Sequence, residues 1–286
     1  MNPLLWTLVG LLLLVVALSF ALSFYMTRRH SLQEIHTPSE FSLDYEEISL
    51  HTSDGLTLCA WWIPSPGSTR AVIIMHGHGG SMDYDVHRAV SLHQAGFSVL
   101  LFDFRAHGRS QGWLASFGYY ERRDVQAAVS FLSAQGVERI GLLGFSYGGI
   151  AAMLSAPLCP EVAAVISDGG PVRIRSAIGG YCLQRDLPRW LCRLLAWQVW
   201  SATSLRLGVN LSRYEAVRWV GKISPRPILF IHGDQDPYLP DFDDLYAAAQ
   251  PPREVWRVPE AGHVTLSRDV PEEHSRRILD FFLRHL

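Results

Sequence analysis

Residues 4–26 carry no charged side chain, and the apolar run ends at Arg28-Arg29-His30. At about 1.5 Å per residue, a helix over that run is roughly 34 Å long, enough to cross a ~30 Å hydrocarbon core with slight tilt. Trp6 and Tyr25 sit near its two ends, where amphipathic rings favour the interface. The pattern predicts an N-terminal transmembrane anchor over 1–30 and a polar, irregular linker over 31–44. A cleaved signal peptide is the competing reading, because Ala21-Leu22-Ser23 could serve as a cleavage site. The length of the run and the lack of any Lys or Arg before it argue against cleavage. With the basic cluster on the C-terminal side, the positive-inside rule puts the following domain in the cytoplasm.

Beyond the linker the pattern changes. Residues 45–50 and 56–63 alternate in part around Ser53-Asp54-Gly55, which predicts an antiparallel hairpin. Short apolar runs then recur at 71–75, 97–102, 140–143, 162–166 and 228–231, with a more mixed run at 254–258. Near-continuous apolar runs are what strands covered on both faces require. Between them, Val125, Ala128, Val129 and Leu132 recur at helical spacing, as do Ile278, Phe281 and Phe282 in a last helix expected to start around Asp269 and Pro271. The expected fold is an α/β sandwich over 45–286: a mostly parallel sheet of about eight strands led by an antiparallel hairpin. One segment breaks the alternation. Residues 171–224 are too long for a simple crossover and hold Trp190, Leu191, Leu194, Leu195, Trp197, Val199 and Trp200. We expect a helical cap whose aromatics line an apolar pocket, against the plainer reading of helices packed on the core.

Composition narrows the classes. The chain has 286 residues, 48% hydrophobic and 18% charged, with a net charge of -2 and no basic tract to bind nucleic acid. Cys59, Cys159, Cys182 and Cys192 show no Cys-x-x-Cys spacing and read as thiols rather than a zinc or disulfide framework. His76 and His78, with Asp83, Asp85 and His87 behind them, match no metal-binding spacing, so neither metal nor other cofactor is expected.

The candidate chemistry centres on Gly144-Phe145-Ser146-Tyr147-Gly148-Gly149, between a predicted strand and a predicted helix. So tight a turn leaves no room for side chains two residues either side of the serine, hence glycine there. A serine hydroxyl needs a base, and the base needs a group to orient it. Asp236, in His232-Gly233-Asp234-Gln235-Asp236-Pro237, and His263, in Ala261-Gly262-His263, both follow predicted strands. All three thus fall at carboxyl ends of strands, where open α/β sheets build their sites. Asp234 is the rival acid; Asp236 is preferred because Pro237 then leads the loop off the sheet. His76-Gly77-His78-Gly79-Gly80 also follows a strand, and the backbone N–H groups of His78 (or Gly79) and Tyr147 are the expected oxyanion donors.

With these residues and Asp103-Phe104-Arg105-Ala106-His107-Gly108-Arg109-Ser110, the chain over about 45–286 resembles the α/β-hydrolase superfamily. Within it, the resemblance is to membrane-tethered bacterial serine hydrolases related to the prolyl-oligopeptidase-like esterases. The resemblance implies a serine hydrolase with catalytic Ser146, Asp236 and His263; the expected substrates are small-molecule carboxylic esters with an apolar acyl part, lipid-derived given the anchor. It implies that the stretch 103–110 is structural, and Ala106 stands where that turn often holds glycine. A serine at the elbow argues against the dehalogenases and epoxide hydrolases of the superfamily, which use aspartate. Thioesterase, peptidase and a non-catalytic membrane-anchored binding module remain as alternatives, and the oligomeric state stays open.

Overall fold

The computed structural model describes residues 2–31 and 36–286; part of the predicted linker, 32–35, lies outside the described residues. Helix α1 (Pro3–Thr27) is long and apolar enough to cross a membrane. The hairpin follows as β1 (Glu46–His51) and β2 (Thr57–Ile63), antiparallel, with Glu46 opposite Trp62 and His51 opposite Thr57. Strands β3 (Arg70–Met75), β4 (Ser98–Phe102), β5 (Arg139–Phe145), β6 (Val162–Asp168), β7 (Ile228–Gly233) and β8 (Arg253–Val258) then run parallel to one another. The order across the 8-stranded sheet is β1-β2-β4-β3-β5-β6-β7-β8.

Both faces are covered, as the unbroken apolar runs predict. Ile73, Met75, Leu100, Phe102 and Leu142 enter one core with Val125, Ala128 and Leu132 of α3 (Glu121–Ala134). Their neighbours Val72, Ile74, Val99, Leu101 and Leu143 enter the other, closed by α2 (Val86–Gln94) and by Ile278, Phe281 and Phe282 of α9 (Pro271–His285). Successive residues point to opposite faces of a pleated strand, so two helical layers require both parities to be apolar. Asp269 does not begin α9. It ends a separate short turn, α8 (Leu266–Asp269), and Val270 precedes Pro271 at the start of α9.

Strand register puts the sites of chemistry on one rim. Met75 pairs with Gly144, Phe145 with Asp168, Asp168 with Ile231, and Gly233 with Val258. The strands therefore end level, and the loops after β3, β5, β7 and β8 leave side by side. Helix α4 (Tyr147–Ser155) starts directly after Ser146, and α7 (Phe242–Ala248) follows the loop after β7.

Between β6 and β7 lie α5 (Ile174–Leu183), α6 (Arg189–Leu207) and three short 3-10 turns. Helix α6 runs beside α1 rather than over the rim. Ser19, Ser23 and Thr27 of α1 are buried against it. Ser19 Oγ reaches Gln198 Oε1 (3.3 Å), Thr203 Oγ1 donates to Ser23 Oγ (2.9 Å), and Arg206 Nη1 donates to Ser23 Oγ (2.8 Å) and Thr27 Oγ1 (2.9 Å). Small polar side chains one turn apart let two helices approach and bond within an otherwise apolar seam. Helix α1 is thus docked on the domain at its C-terminal end.

Candidate active site

Ser146 has φ 50° and ψ −107°, a conformation that a non-glycine residue rarely holds and that functional turns preserve. Its neighbours leave no choice at two positions. A Cβ at Gly144 would lie 2.2 Å from the Gly148 carbonyl oxygen, and one at Gly148 would lie 2.2 Å from the Met75 carbonyl oxygen. The turn after β5 is therefore pressed against the end of β3, and Ser146 projects from its apex into the rim.

His263 meets it there. Ser146 Oγ–H is positioned to donate to His263 Nε2 at 2.8 Å, and His263 Nδ1–H to Asp236 Oδ2 at 2.6 Å. The other carboxylate oxygen of Asp236 accepts the Tyr238 N–H (2.8 Å), and the Tyr238 ring packs on the imidazole with centroids 4.6 Å apart. Asp236 is buried (6% exposed), so its carboxylate meets the imidazole away from bulk water. Asp234 lies elsewhere, with Oδ1 3.8 Å from His232 Nε2 and a side chain 46% exposed. A carboxylate, an imidazole and a hydroxyl joined in this order can move a proton off the hydroxyl.

The glycine-rich loop after β3 runs alongside, with the Gly77 backbone placed so that a Cβ would lie 3.8 Å from Ser146 Cβ. The N–H groups of His78 and Tyr147 donate to no backbone or side-chain acceptor among the described residues. Two loose amide donors beside a serine, one at the start of a helix, suit an oxygen that acquires negative charge. The His76 ring is fully used in structure: Nδ1–H donates to the Gly77 carbonyl (2.8 Å) and Nε2 accepts the Phe104 N–H (3.0 Å). Asp83 and Asp85 fall in a 3-10 turn ahead of α2, and Asp85 pairs with Arg88.

The stretch 103–110 is a buttress. Asp103 accepts the N–H groups of Met82 and Arg109 (both 2.8 Å). Arg105 bonds Asp124 through Nε (2.9 Å) and Nη2 (2.7 Å). Ala106 holds φ 59°, the left-handed region in which glycine is favoured.

Ser146 and His263 open into a cavity of about 780 Å³. Its apolar wall comes from Ile174, Ile178 and Tyr181 of α5 and from Leu22, Tyr25 and Met26 of α1. The expectation that the aromatics of α6 line this pocket is corrected: Trp190, Leu194 and Trp197 are exposed (68, 41 and 57%), and Val199 and Trp200 are buried in the core. That α1 forms part of the wall went unread, although Ser19, Ser23 and Thr27, at every fourth position of the apolar run, mark a face made for packing.

A sequence profile of the alpha/beta hydrolase family matches residues 71–278. The uncharacterized protein Rv2307c of Mycobacterium tuberculosis is 31% identical over 224 residues, covering 76% of this chain and 72% of its own. The uncharacterized protein YfhR of Escherichia coli is 26% identical over 264 residues, covering 88% and 85%. Among solved structures, an esterase of Pyrococcus furiosus superposes with a TM-score of 0.75 at 27% identity, covering 91% of this chain and 98% of that one.

Proposed function

The chain belongs to the alpha/beta hydrolase family, and we propose that within it the protein is a serine hydrolase cleaving carboxylic esters with an apolar, lipid-derived acyl part. The observation that carries this reading is the unbroken hydrogen-bond relay from Ser146 through His263 to Asp236. The esterase likeness of a solved structure supports it.

In the proposed reaction, Ser146 Oγ attacks the ester carbonyl as His263 Nε2 takes the hydroxyl proton. Asp236 holds the ring with Nδ1–H toward itself and stabilises the imidazolium. The carbonyl oxygen, now negative, accepts from the N–H groups of Tyr147 and His78. His263 returns its proton to the departing alkoxide, leaving the acyl group on Ser146. Water enters, gives a proton to His263 and attacks the acyl carbon; the second collapse restores the serine and frees the acid.

The lipid assignment rests on α1. The cavity is walled partly by Leu22, Tyr25 and Met26 of that apolar helix, a surface suited to an acyl chain. The helix is exposed without a break over residues 3–14, about 18 Å at 1.5 Å per residue, less than a ~30 Å hydrocarbon core. Spanning it brings the α6 side, with exposed Trp190, Trp197 and Leu205, down to the interface. On this reading residues 1–30 are a retained single-pass anchor, since Ser23 and Thr27 are bonded to Arg206. Residues 171–224 are a cap, and the catalytic domain is cytoplasmic.

The test uses detergent-solubilised full-length protein, p-nitrophenyl esters of graded chain length and a fluorophosphonate probe. Wild-type protein should hydrolyse medium and long acyl esters and take up one probe per chain, and Ser146→Ala should do neither. Folded wild-type protein that leaves both untouched sinks the proposal.

A further inference from the structure

Three histidines that the reaction does not use as bases meet at the cavity rim. His30 follows α1, His78 lies in the glycine-rich loop and His107 lies in the buttress stretch, and one nitrogen from each falls within 4.8 Å of the others. Their backbones are held: His30 N–H donates to the Ala106 carbonyl (2.7 Å), and Gly108 N–H donates to the His30 carbonyl (2.9 Å). The rings of His30 and His78 are 4.8 Å apart, and those of His30 and His107 5.2 Å.

We infer that His30, His78 and His107 form a binding site for a divalent transition-metal ion of the zinc class, which clamps the end of the anchor to the loop beside Ser146. The state of the ring nitrogens carries this. His107 Nδ1–H donates to the Arg105 carbonyl (2.9 Å), leaving Nε2 as a bare lone pair. That nitrogen is buried without a partner, on a residue 0% exposed. His78 Nε2–H donates to the Met26 carbonyl (2.7 Å), which leaves its Nδ1 unprotonated. His30 Nε2 is likewise buried and unpartnered. A ring N–H fixed on a backbone carbonyl, with the opposite nitrogen open, is how metal-bound histidines are oriented. A buried ring nitrogen without a partner is costly, and a bound cation would satisfy it.

The cluster contains no carboxylate, so imidazole chemistry favours zinc, copper or nickel over calcium or magnesium. Tetrahedral zinc with Zn–N near 2.0–2.1 Å sets ligand nitrogens about 3.3 Å apart, so the rings must close by rotation. His30 and His78, neither fully buried, have the freedom to do so. His30 and His78 also line the cavity with Ser146, so a fourth position faces it, open to water or to a carboxylate. The expectation of no metal came from local spacing, whereas these ligands stand far apart in the chain.

Metal-stripped full-length protein, purified in detergent without a histidine tag, is titrated with Zn²⁺ against a chromogenic chelator, and with Co²⁺ by visible absorption. Wild-type protein should take up one ion per chain, with Co²⁺ giving the intense bands of a four-coordinate site. His30→Ala and His78→Ala should each weaken binding at least tenfold, with folding checked by circular dichroism. Ser146→Ala should bind as wild type does, so failure of the hydrolase reading would leave this site standing. Absence of one-to-one uptake by wild-type protein, or equal affinity in folded His30→Ala and His78→Ala, overturns the proposal.

Discussion

The sharpest perturbation of the proposed relay is Asp236→Asn, because the structure dictates which way the new amide must face. Asp236 Oδ1 accepts the Tyr238 N–H at 2.8 Å and Oδ2 accepts His263 Nδ1–H at 2.6 Å. The Tyr238 amide is a fixed donor, so the asparagine carbonyl must stay on that side. Its NH₂ then faces His263, which can meet a donor only with a bare Nδ1. The ring proton moves to Nε2 and points at Ser146 Oγ, where a proton acceptor is needed. Wrong-tautomer trapping of this kind costs about 10⁴ in kcat in a well-studied serine protease, which at 1.36 kcal/mol per decade is about 5.4 kcal/mol of barrier. Size and burial hardly change, so the melting temperature should stay within a few degrees. The assay is steady-state hydrolysis of a p-nitrophenyl ester at pH 7, with KM expected near the wild-type value. A variant that keeps kcat within tenfold would refute the orienting role of Asp236 and the relay with it.

Three further outcomes follow from the packing. At Gly180 of α5 a Cβ would lie 1.7 Å from the Pro237 carbonyl oxygen, so Gly180→Ala must push α5 off the loop that carries Asp236; kcat/KM should fall at least tenfold, read by ester hydrolysis, while the far-UV circular dichroism is kept. Asp124→Ala leaves Arg105 buried with only Asp54 (2.8 and 3.1 Å) to pair with. Chemical denaturation should show a loss of about 3 kcal/mol, the low end for halving a buried ion pair because one partner remains. His232 is 6% exposed and stacked on Phe242, and burial lowers its pKa despite Asp236 and Asp234 nearby. A histidine with a depressed folded pKa gives stability that is present above its unfolded value near 6.5 and is lost as pH falls below it. His232→Phe should therefore flatten the decline of the melting temperature between pH 6.5 and 5, by no more than the equivalent of about 1.4 kcal/mol per pH unit; an unchanged decline would show that this ring takes up its proton equally in the folded and unfolded states.

The sheet was legible because its physics is local. A short, β-branched apolar run such as Ile73-Ile74-Met75 suits a strand covered on both faces, and an Asp-Gly turn between alternating runs suits a hairpin. The elbow was legible for the same reason, as the contacts at Gly144 and Gly148 arise within the turn and the strand beside it. Choosing Asp236 over Asp234 was harder. Two residues in a loop share their composition and differ only in direction, which the departure at Pro237 hinted at; in the structure Asp236 meets His263 Nδ1 while Asp234 lies beside His232.

The cap and the anchor resisted because both are apolar for reasons composition does not separate. Tryptophans at Trp190 and Trp197 are equally suited to a pocket wall or to a face turned outward, and only the position of α1 decides. The signal that could decide it is polar: Ser19, Ser23 and Thr27 interrupt the apolar run at the interval of one helical turn, and Gln198, Thr203 and Arg206 answer them along α6. In hydrocarbon such groups need partners, so a regular row of them announces a second helix rather than lipid. With α6 bonded to α1, the apolar wall facing the serine comes from α5 and from Leu22, Tyr25 and Met26 of α1 itself. An apolar helix that binds its own domain in this way is part of the cavity wall, and removing it would open the cavity beside Ser146.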